Sequence, residues 1–193
     1  MLIDEGHELA LFTNPDKPKG RKGELTPPPT KVLAEKHGIP VYQFEKIRRP
    51  EGVEALRAFA PDLMVTAAFG QILSAENLSI PKYGCINVHG SLLPKYRGAA
   101  PIQWSIIEGE KITGVTTMLT DVGLDTGDML LRREVEIGEN ETAGELFDRL
   151  AAIGAELLKE TIECLEKGEL KPIKQDEAAA TKCGMIKKED GRI

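Results

Sequence analysis

The sequence predicts an α/β fold of the Rossmann-like kind, with a mostly parallel central sheet and helices on both faces. Residues 62–69 and 84–89 are mainly apolar, which is typical of strands that are buried on both sides. Amphipathic helical segments separate the short strands, as crossover connections do in a parallel sheet. The chain has 193 residues, of which 41% are hydrophobic, so it is long enough to bury the core of one ordinary domain.

Composition excludes several classes of protein. The three cysteines, Cys85, Cys164 and Cys183, are widely spaced and form no CxxC pair, so we expect neither a disulfide framework nor a zinc site. Apolar runs such as residues 63–69 are too short to cross a bilayer, and no cationic targeting segment follows Met1. We therefore expect a cytoplasmic protein, or one of an organellar matrix, without a membrane partner. The net charge of −6 limits any nucleic-acid contact to a local basic patch.

The first part of the chain contains one long polar stretch between regular elements. Residues 1–6 are predicted to be the end of a helix, and the alternating residues 7–13 a strand. Residues 17–29 are rich in glycine, proline and charge, which predicts a mobile surface loop. A short helix over 31–37 and a strand over 39–44 follow.

The apolar strands occupy the middle of the chain. An amphipathic helix is predicted over residues 51–60, where Pro61 ends it. The strands over 62–69 and 84–89 come next, and the second of them ends in polar residues. Ligands of open α/β sheets bind beyond the carboxyl ends of such strands, so we expect the functional side chains there.

The last elements complete the sheet and cover it. A helix is predicted over residues 100–108, followed by strands over 114–120 and 129–137. Residues 142–167 are predicted to form one long amphipathic helix. The sequence thus predicts a domain over residues 1–170 and, because the remainder is polar and charged, a linker over residues 171–193.

Three polar residues are the candidates for catalysis. Asn87 and His89 have i, i+2 spacing at the end of a strand, so their side chains share one face. Asp125 lies in a glycine-containing loop between the last two strands. An amide and an imidazolium can stabilise an oxyanion, and a carboxylate can orient the imidazole, so this set suits acyl transfer.

Structural explanations for the same residues stay open at this point. A single histidine at a strand end is more often structural than catalytic, and an aspartate among glycines is usually a turn residue. The basic residues near Lys17 would ordinarily be solvated loop residues. The sequence contains neither GxGxxG nor GxxxxGK[ST], so dinucleotide and nucleoside triphosphate sites lose their main support.

Longer motifs resemble the folate-dependent formyltransferases. They are CINVHGSLLPKYRGAAPIQWSIIEGE, then TGVT and DVGLDTGDML, and the likeness extends from Gly6 to the KKEDGRI segment. The resemblance implies transfer of a formyl group from 10-formyltetrahydrofolate, with Asn87, His89 and Asp125 as the catalytic residues and no metal. Among the acceptors used in the family, the motifs fit best the free amino group of methionyl initiator tRNA, for translation initiation.

The resemblance also implies two binding regions. The expected folate pocket comprises one segment after the first apolar strand, a second after His89, and one loop aspartate: Phe69, Gly70, Ile72 and Leu73; Ser91, Leu92, Leu93 and Pro94; and Asp121. The basic loop is expected to enter the acceptor stem of the tRNA through Lys17, Lys19, Arg21 and Lys22. We expect the protein to act as a monomer.

Two departures from the family pattern bear on function. Members of the family begin with a strand, a glycine-containing loop and most of a helix before the segment that matches residues 1–6, and they continue into a β-barrel domain that helps to bind tRNA. We expect the chain to be an N-terminally truncated catalytic domain without that barrel. The alternatives are a hydrolase or a small-molecule formyltransferase of the same fold, or an inactive folate-binding fragment.

Overall fold

A computed structural model describes residues 2–20 and 23–191 and divides the chain into two compact units. The first unit comprises Met1–Asp62 and Phe69–Tyr83, and the second comprises Leu63–Ala68 and Gly84–Ile193. The expected α/β fold class is confirmed, because both units combine helices with parallel strand pairs.

The first unit is built around a short parallel pair of strands. Strands β1 (Leu11–Thr13) and β4 (Val41–Gln43) pair in parallel, with Phe12 beside Tyr42, and their rings stack with centroids 4.8 Å apart. The crossover between them contains helix α1 (Pro29–Lys36), which begins with a proline in its first turn. Helices α2 (Pro50–Phe59) and α3 (Ala75–Leu78) complete the unit. Residues 2–6 form turns, not the predicted end of a helix.

A hairpin replaces most of the predicted irregular loop over residues 17–29. Strand β2 (Lys17–Lys19) pairs antiparallel with β3 (Glu24–Thr26), and both strands are exposed. The residues between them include Gly20 and Gly23, whose positive φ angles suit a tight turn. The composition of this segment correctly indicated a surface position, but it concealed the strand pairing.

The second unit contains the main sheet. Its strands are β5 (Met64–Ala67), β6 (Cys85–His89), β8 (Ile112–Leu119) and β9 (Met129–Glu136), which lie in that order across the sheet. The short strand β7 (Arg97–Gly98) and helix α4 (Pro101–Ile107) lie between β6 and β8 in the chain.

Strand direction differs between the two sides of this sheet. β5 and β6 are parallel, whereas β6–β8 and β8–β9 are antiparallel. The short connection between β8 and β9 explains the last pair, because a parallel connection would require a crossover of a dozen or more residues. Parallel pairing is therefore restricted to β5–β6, so this sheet is mixed where a mostly parallel sheet was predicted.

One long helix packs on the sheet of the second unit. Helix α5 (Ala143–Glu166) begins with a capping box in which Thr142 and Glu145 satisfy each other's backbone N–H groups. Gly154 allows a close approach, since a Cβ atom there would lie 3.0 Å from Cγ1 of Val88. Each buried aliphatic side chain contributes about 1.5–3 kcal/mol. The core cluster consists of Ile102, Val115, Val135, Leu146, Leu150 and Leu157.

The segment after α5 returns to the second unit. Ile173 forms a bridge with Met129, and β10 (Lys182–Cys183) pairs in parallel with β7. These residues fall in the predicted linker, and the division into a domain over 1–170 and a linker over 171–193 remains a prediction. None of the helices in the described part of the chain is long and apolar enough to cross a membrane.

Candidate active site

Strand β6 carries two of the three predicted catalytic residues. Asn87 and His89 are separated by one residue of extended chain, so both side chains project from the same face of the sheet. Asn87 is half-buried and His89 is buried. The strand therefore presents an amide and an imidazole side by side, as the sequence predicts.

The two ring nitrogens of His89 have different environments. Nε2 lies 2.9 Å from the carbonyl oxygen of Tyr96, which can only accept, so Nε2 must carry the proton of this hydrogen bond. Nδ1 faces the carboxylate of Asp125, with 3.8 Å between Nδ1 and Oδ2. That separation is too long for a hydrogen bond. Nδ1 is thus the nitrogen with freedom to exchange a proton.

Asp125 is held in an unusual backbone conformation. Its φ of +53° lies in the left-handed region, where a residue other than glycine persists only when its surroundings fix it. The Oδ2 atom accepts a hydrogen bond of 2.9 Å from the backbone N–H of Gly98. The structure thus brings Asp125 to His89 and ties its carboxylate to β7.

A neighbouring threonine orients the amide of Asn87. Thr66 is the register partner of Asn87 on β5, and its hydroxyl donates to Oδ1 of Asn87 at 3.0 Å. The Nδ2 donors of Asn87 make no hydrogen bond with the described residues of the second unit. With the oxygen occupied, the Nδ2 donors are the part of this amide that remains available. Sequence reasoning did not identify Thr66, because its importance depends on strand register.

The segment after His89 is fastened to β8. The hydroxyl of Thr116 donates to the carbonyl oxygen of Ser91 at 2.7 Å and accepts from the N–H of Leu93 at 3.1 Å. Ser91 and Leu93 are fully buried, whereas Leu92 and Pro94 are partly exposed. This part of the expected folate pocket is therefore a rigid loop.

Asp121 occupies the exposed start of the loop that carries Asp125. Its carboxylate accepts from the N–H of Gly123 and from the hydroxyl of Thr126. These bonds are local to the loop, so Asp121 shapes the turn.

The other expected folate residues belong to the first unit. Phe69 and Leu73 are half-buried, while Gly70 and Ile72 are exposed. Gln71 anchors this segment, because its Oε1 accepts from the N–H of Ile47 and its Nε2 donates to Oδ1 of Asn14 and the carbonyl of Phe44. Asn14 in turn donates to the carbonyl of Phe69 at 3.0 Å. Neither Gln71 nor Asn14 was predicted, since no local pattern reveals such contacts.

The basic residues predicted to contact tRNA lie on the β2–β3 hairpin or outside the described residues. Lys17 and Lys19 are exposed on β2. Arg21 and Lys22 lie outside the described residues.

The phenol of Tyr96 lies against two carboxylates. The hydroxyl of Tyr96 is 2.6 Å from Glu108 and 2.8 Å from Glu110. Burial and these two carboxylates raise the pKa of Tyr96, so the hydroxyl stays a donor. The hydrogen bond from Tyr96 and the charge of Lys95 lower the pKa of Glu110.

Metal-ligating side chains do not cluster in the described ranges. No group of three or more histidine, cysteine, aspartate or glutamate residues among positions 2–20 and 23–191 could hold a metal ion. The candidate site instead consists of hydrogen-bond donors and one carboxylate, a set suited to an acyl group that becomes negatively charged.

Curated relatives match along the whole chain. The methionyl-tRNA formyltransferase of Citrifermentans bemidjiense is 58% identical over 193 residues, which cover all of this chain and 61% of the relative. The enzyme of the same name from Ruminiclostridium cellulolyticum is also 58% identical and is covered to 62%. The chain therefore spans about three fifths of the length of these relatives.

Solved structures share the fold. A phosphoribosylglycinamide formyltransferase from Bacillus halodurans superposes with a TM-score of 0.68 at 28% identity, covering 83% of this chain and 81% of that one. A sugar N-formyltransferase from Shewanella sp. gives a TM-score of 0.67 at 25% identity over 82% of this chain and 60% of that one.

A model of the formyl transferase family matches residues 3–162, which include Asn87, His89 and Asp125. This match spans most of the chain and confirms the resemblance seen in its motifs. The chain belongs to the formyl transferase family.

Proposed function

We propose that the chain transfers a formyl group from 10-formyltetrahydrofolate to the free amino group of methionyl initiator tRNA. The observation that carries the proposal is the placement of Asn87, His89 and Asp125, in which two donors and a carboxylate lie at the end of β6. The names and high identity of the curated relatives favour this acceptor over a small molecule or water.

Asn87 and His89 would stabilise the developing oxyanion. The amine attacks the formyl carbon, and the carbonyl oxygen becomes negatively charged. Nδ2 of Asn87 is aimed outward by the bond from Thr66 to Oδ1. Nδ1 of His89, when protonated, supplies the second donor, because Nε2 is occupied by Tyr96. One such donor is typically worth about 3–4 kcal/mol in the barrier.

Asp125 would stabilise the proton on Nδ1 of His89 and would help to transfer a proton from the attacking amine to the leaving nitrogen. Its carboxylate would stabilise a protonated Nδ1 of His89 by charge across the 3.8 Å separation, which leaves the Nδ1–H free to donate to the oxyanion. The amine loses a proton as the new C–N bond forms, and the leaving nitrogen of the folate gains one as its bond to the formyl carbon breaks. Such proton transfer contributes roughly 10²- to 10⁴-fold to the rate.

Binding of the two substrates would use separate groups. The loop over residues 91–94 and Asp121 would contact the folate. The exposed Lys17 and Lys19, together with Arg21 and Lys22, would neutralise phosphates of the tRNA. We propose action as a monomer in the cytoplasm, with no metal.

Incubation with 10-formyltetrahydrofolate and a panel of acceptors tests the proposal. The panel comprises methionyl initiator tRNA, glycinamide ribonucleotide, an amino sugar nucleotide and water alone. We expect formylmethionyl-tRNA from the unaltered chain and almost none from Asp125→Asn. Formylation of another acceptor, or hydrolysis of the folate alone, would contradict the tRNA assignment. Folate binding without any product would favour an inactive folate-binding chain.

A further inference from the structure

The side chain of Gln175 joins the segment after α5 to the loop of Asp125. Gln175 is 9% exposed, and its amide makes three hydrogen bonds within the second unit. Nε2 donates to the carbonyl oxygens of Asp125 at 2.8 Å and Gly127 at 2.7 Å. Oε1 accepts from Nε of Arg97 at 2.8 Å. Every polar atom of this side chain is therefore used.

The chemistry of the neighbours fixes the orientation of this amide. Arg97 has only donors, so it must face the oxygen of Gln175, and the two carbonyls can only accept, so they must face the nitrogen. Arg97 is itself almost completely buried, and its two terminal nitrogens pair with Glu177. The hydrogen bonds to Glu177 raise the pKa of the Arg97 guanidinium, which therefore stays charged. The amide of Gln175 thus accepts from an arginine and donates to two carbonyls at once.

The hydrogen bonds of Gln175 act where the backbone of Asp125 needs support. Asp125 has a φ of +53°, and its carboxylate depends on this backbone to lie beside Nδ1 of His89. The two carbonyls bound by Gln175 belong to Asp125 itself and to Gly127, two residues later. Arg97 is the residue before Gly98, whose N–H binds the same carboxylate. Gln175 thus fixes both Asp125 and strand β7, whose Gly98 binds the Asp125 carboxylate.

We propose that Gln175 is a positioning residue for Asp125 in formyl transfer. The inference rests on the function proposed above. Gln175 lies beyond residues 3–162, the span that matches the family model, and its hydrogen bonds connect the segment after α5 to the Asp125 loop. On the loop that carries Asp125, Gln175 contacts only backbone carbonyls. Its effect on the reaction therefore depends on where it places the Asp125 carboxylate.

The variant Gln175→Glu tests the donor role directly. Glutamate has nearly the same shape and still accepts from Arg97, but its carboxylate cannot donate to the two carbonyls. We expect kcat for formyl transfer to fall by about 10- to 100-fold, as a displacement of roughly 1 Å at a reacting group does, with KM for the folate within about twofold. The matched control is Glu177→Gln, which keeps an acceptor for Arg97 on the exposed side and should retain kcat.

A second comparison separates positioning from general destabilisation. In an Asp125→Asn background, Gln175→Glu should lower single-turnover rates by less than twofold, because the carboxylate it positions is already absent. Should Gln175→Glu fail to fold, Gln175→Met offers an uncharged side chain of similar size without donors. An equal loss in both backgrounds, or unchanged kcat in a folded variant, would overturn the proposal.

A readout that needs no activity distinguishes this inference from the proposed function. The amide proton of Gly98 reports its hydrogen bond to Asp125, so its NMR shift in Gln175→Glu or Gln175→Met should move toward that of Asp125→Ala, which lacks the acceptor. If the unaltered chain forms no formylated product but this shift occurs, the proposed function fails, while the positioning of the Asp125 carboxylate by Gln175 is retained. If formylation occurs and the Gly98 resonance does not move, the positioning role fails alone.

Discussion

Nε2 of His89 donates a hydrogen bond of 2.9 Å to the carbonyl oxygen of Tyr96. This bond fixes the ring and leaves Nδ1 directed at Asp125. Tyr96 has a φ of +60°, so the backbone of the loop after His89 is itself bent to present this carbonyl. The histidine therefore has one structural nitrogen and one available for chemistry.

Replacement of Thr66 by valine should weaken catalysis without weakening substrate binding. The hydroxyl of Thr66 holds Oδ1 of Asn87, and valine removes that donor while keeping the shape. The amide of Asn87 would then turn freely, so we expect kcat for formyl transfer to fall by about 3- to 10-fold, roughly the net energy of one hydrogen bond. Steady-state kinetics measure the change. Thr66→Ser should retain most of the rate, and an equal loss in the serine variant would contradict this role.

Replacement of Tyr96 by phenylalanine should destabilise the fold at neutral pH by about 1–3 kcal/mol, because Glu108 and Glu110 lose a shared donor. The pKa of Glu110 is lowered in the folded chain, so its contribution is present above the ordinary glutamate pKa of about 4.3 and is lost as pH falls through the lowered value. Urea unfolding at pH 7 and near pH 3.5 should therefore show a difference between the proteins that shrinks in acid. A constant difference would disagree with this explanation.

Gly98 should tolerate no side chain. Its φ is +126°, and a Cβ atom would lie 2.1 Å from the carbonyl oxygen of Cys183 on β10. We expect Gly98→Ala to cost about 3 kcal/mol or more, since the strand pair must separate. Gly109→Ala is the control, because Gly109 has a φ of +70° but open space around it, so that only about 1 kcal/mol is lost. If thermal unfolding shows that Gly98→Ala and Gly109→Ala lose the same free energy of unfolding, the expected clash between β7 and β10 is contradicted.

The exposed lysines of the β2–β3 hairpin should set the salt dependence of tRNA use. We expect the combined change Lys17→Ala and Lys19→Ala to reduce the slope of log kcat/KM against log salt by about 0.7–0.9 for each phosphate that is no longer neutralised. Folate affinity should not change. Lys36→Ala with Lys167→Ala provides a matched removal of two positive charges elsewhere, and a comparable reduction there would indicate general attraction in place of local binding by the hairpin.

The catalytic candidates could be predicted because their signal is local. Asn87 and His89 lie where an apolar strand becomes polar, and Asp125 lies in the loop between the last two strands. The main strands and helices follow from apolar periodicity in the same way. The ends of α5 differ by one residue each, since it covers 143–166 where 142–167 was predicted.

The supporting residues could not be predicted because they act through distant contacts. Gln175 lies 50 residues from Asp125 in the chain, and nothing around it differs from an ordinary polar linker. Thr66 matters only through the register of β5 with β6. The short loop between β8 and β9 did indicate that these strands are antiparallel. Apolar content alone does not reveal strand direction.

The rate of formyl transfer by His89→Ala, measured beside its folate affinity, is the sharpest test of the proposed chemistry. If Nδ1 of His89 stabilises the oxyanion, kcat at saturating folate and methionyl initiator tRNA should fall by about 10²- to 10³-fold, while the folate Kd stays within about twofold. Equal losses in rate and affinity would contradict the proposed chemistry, because they would make His89 a binding or structural residue.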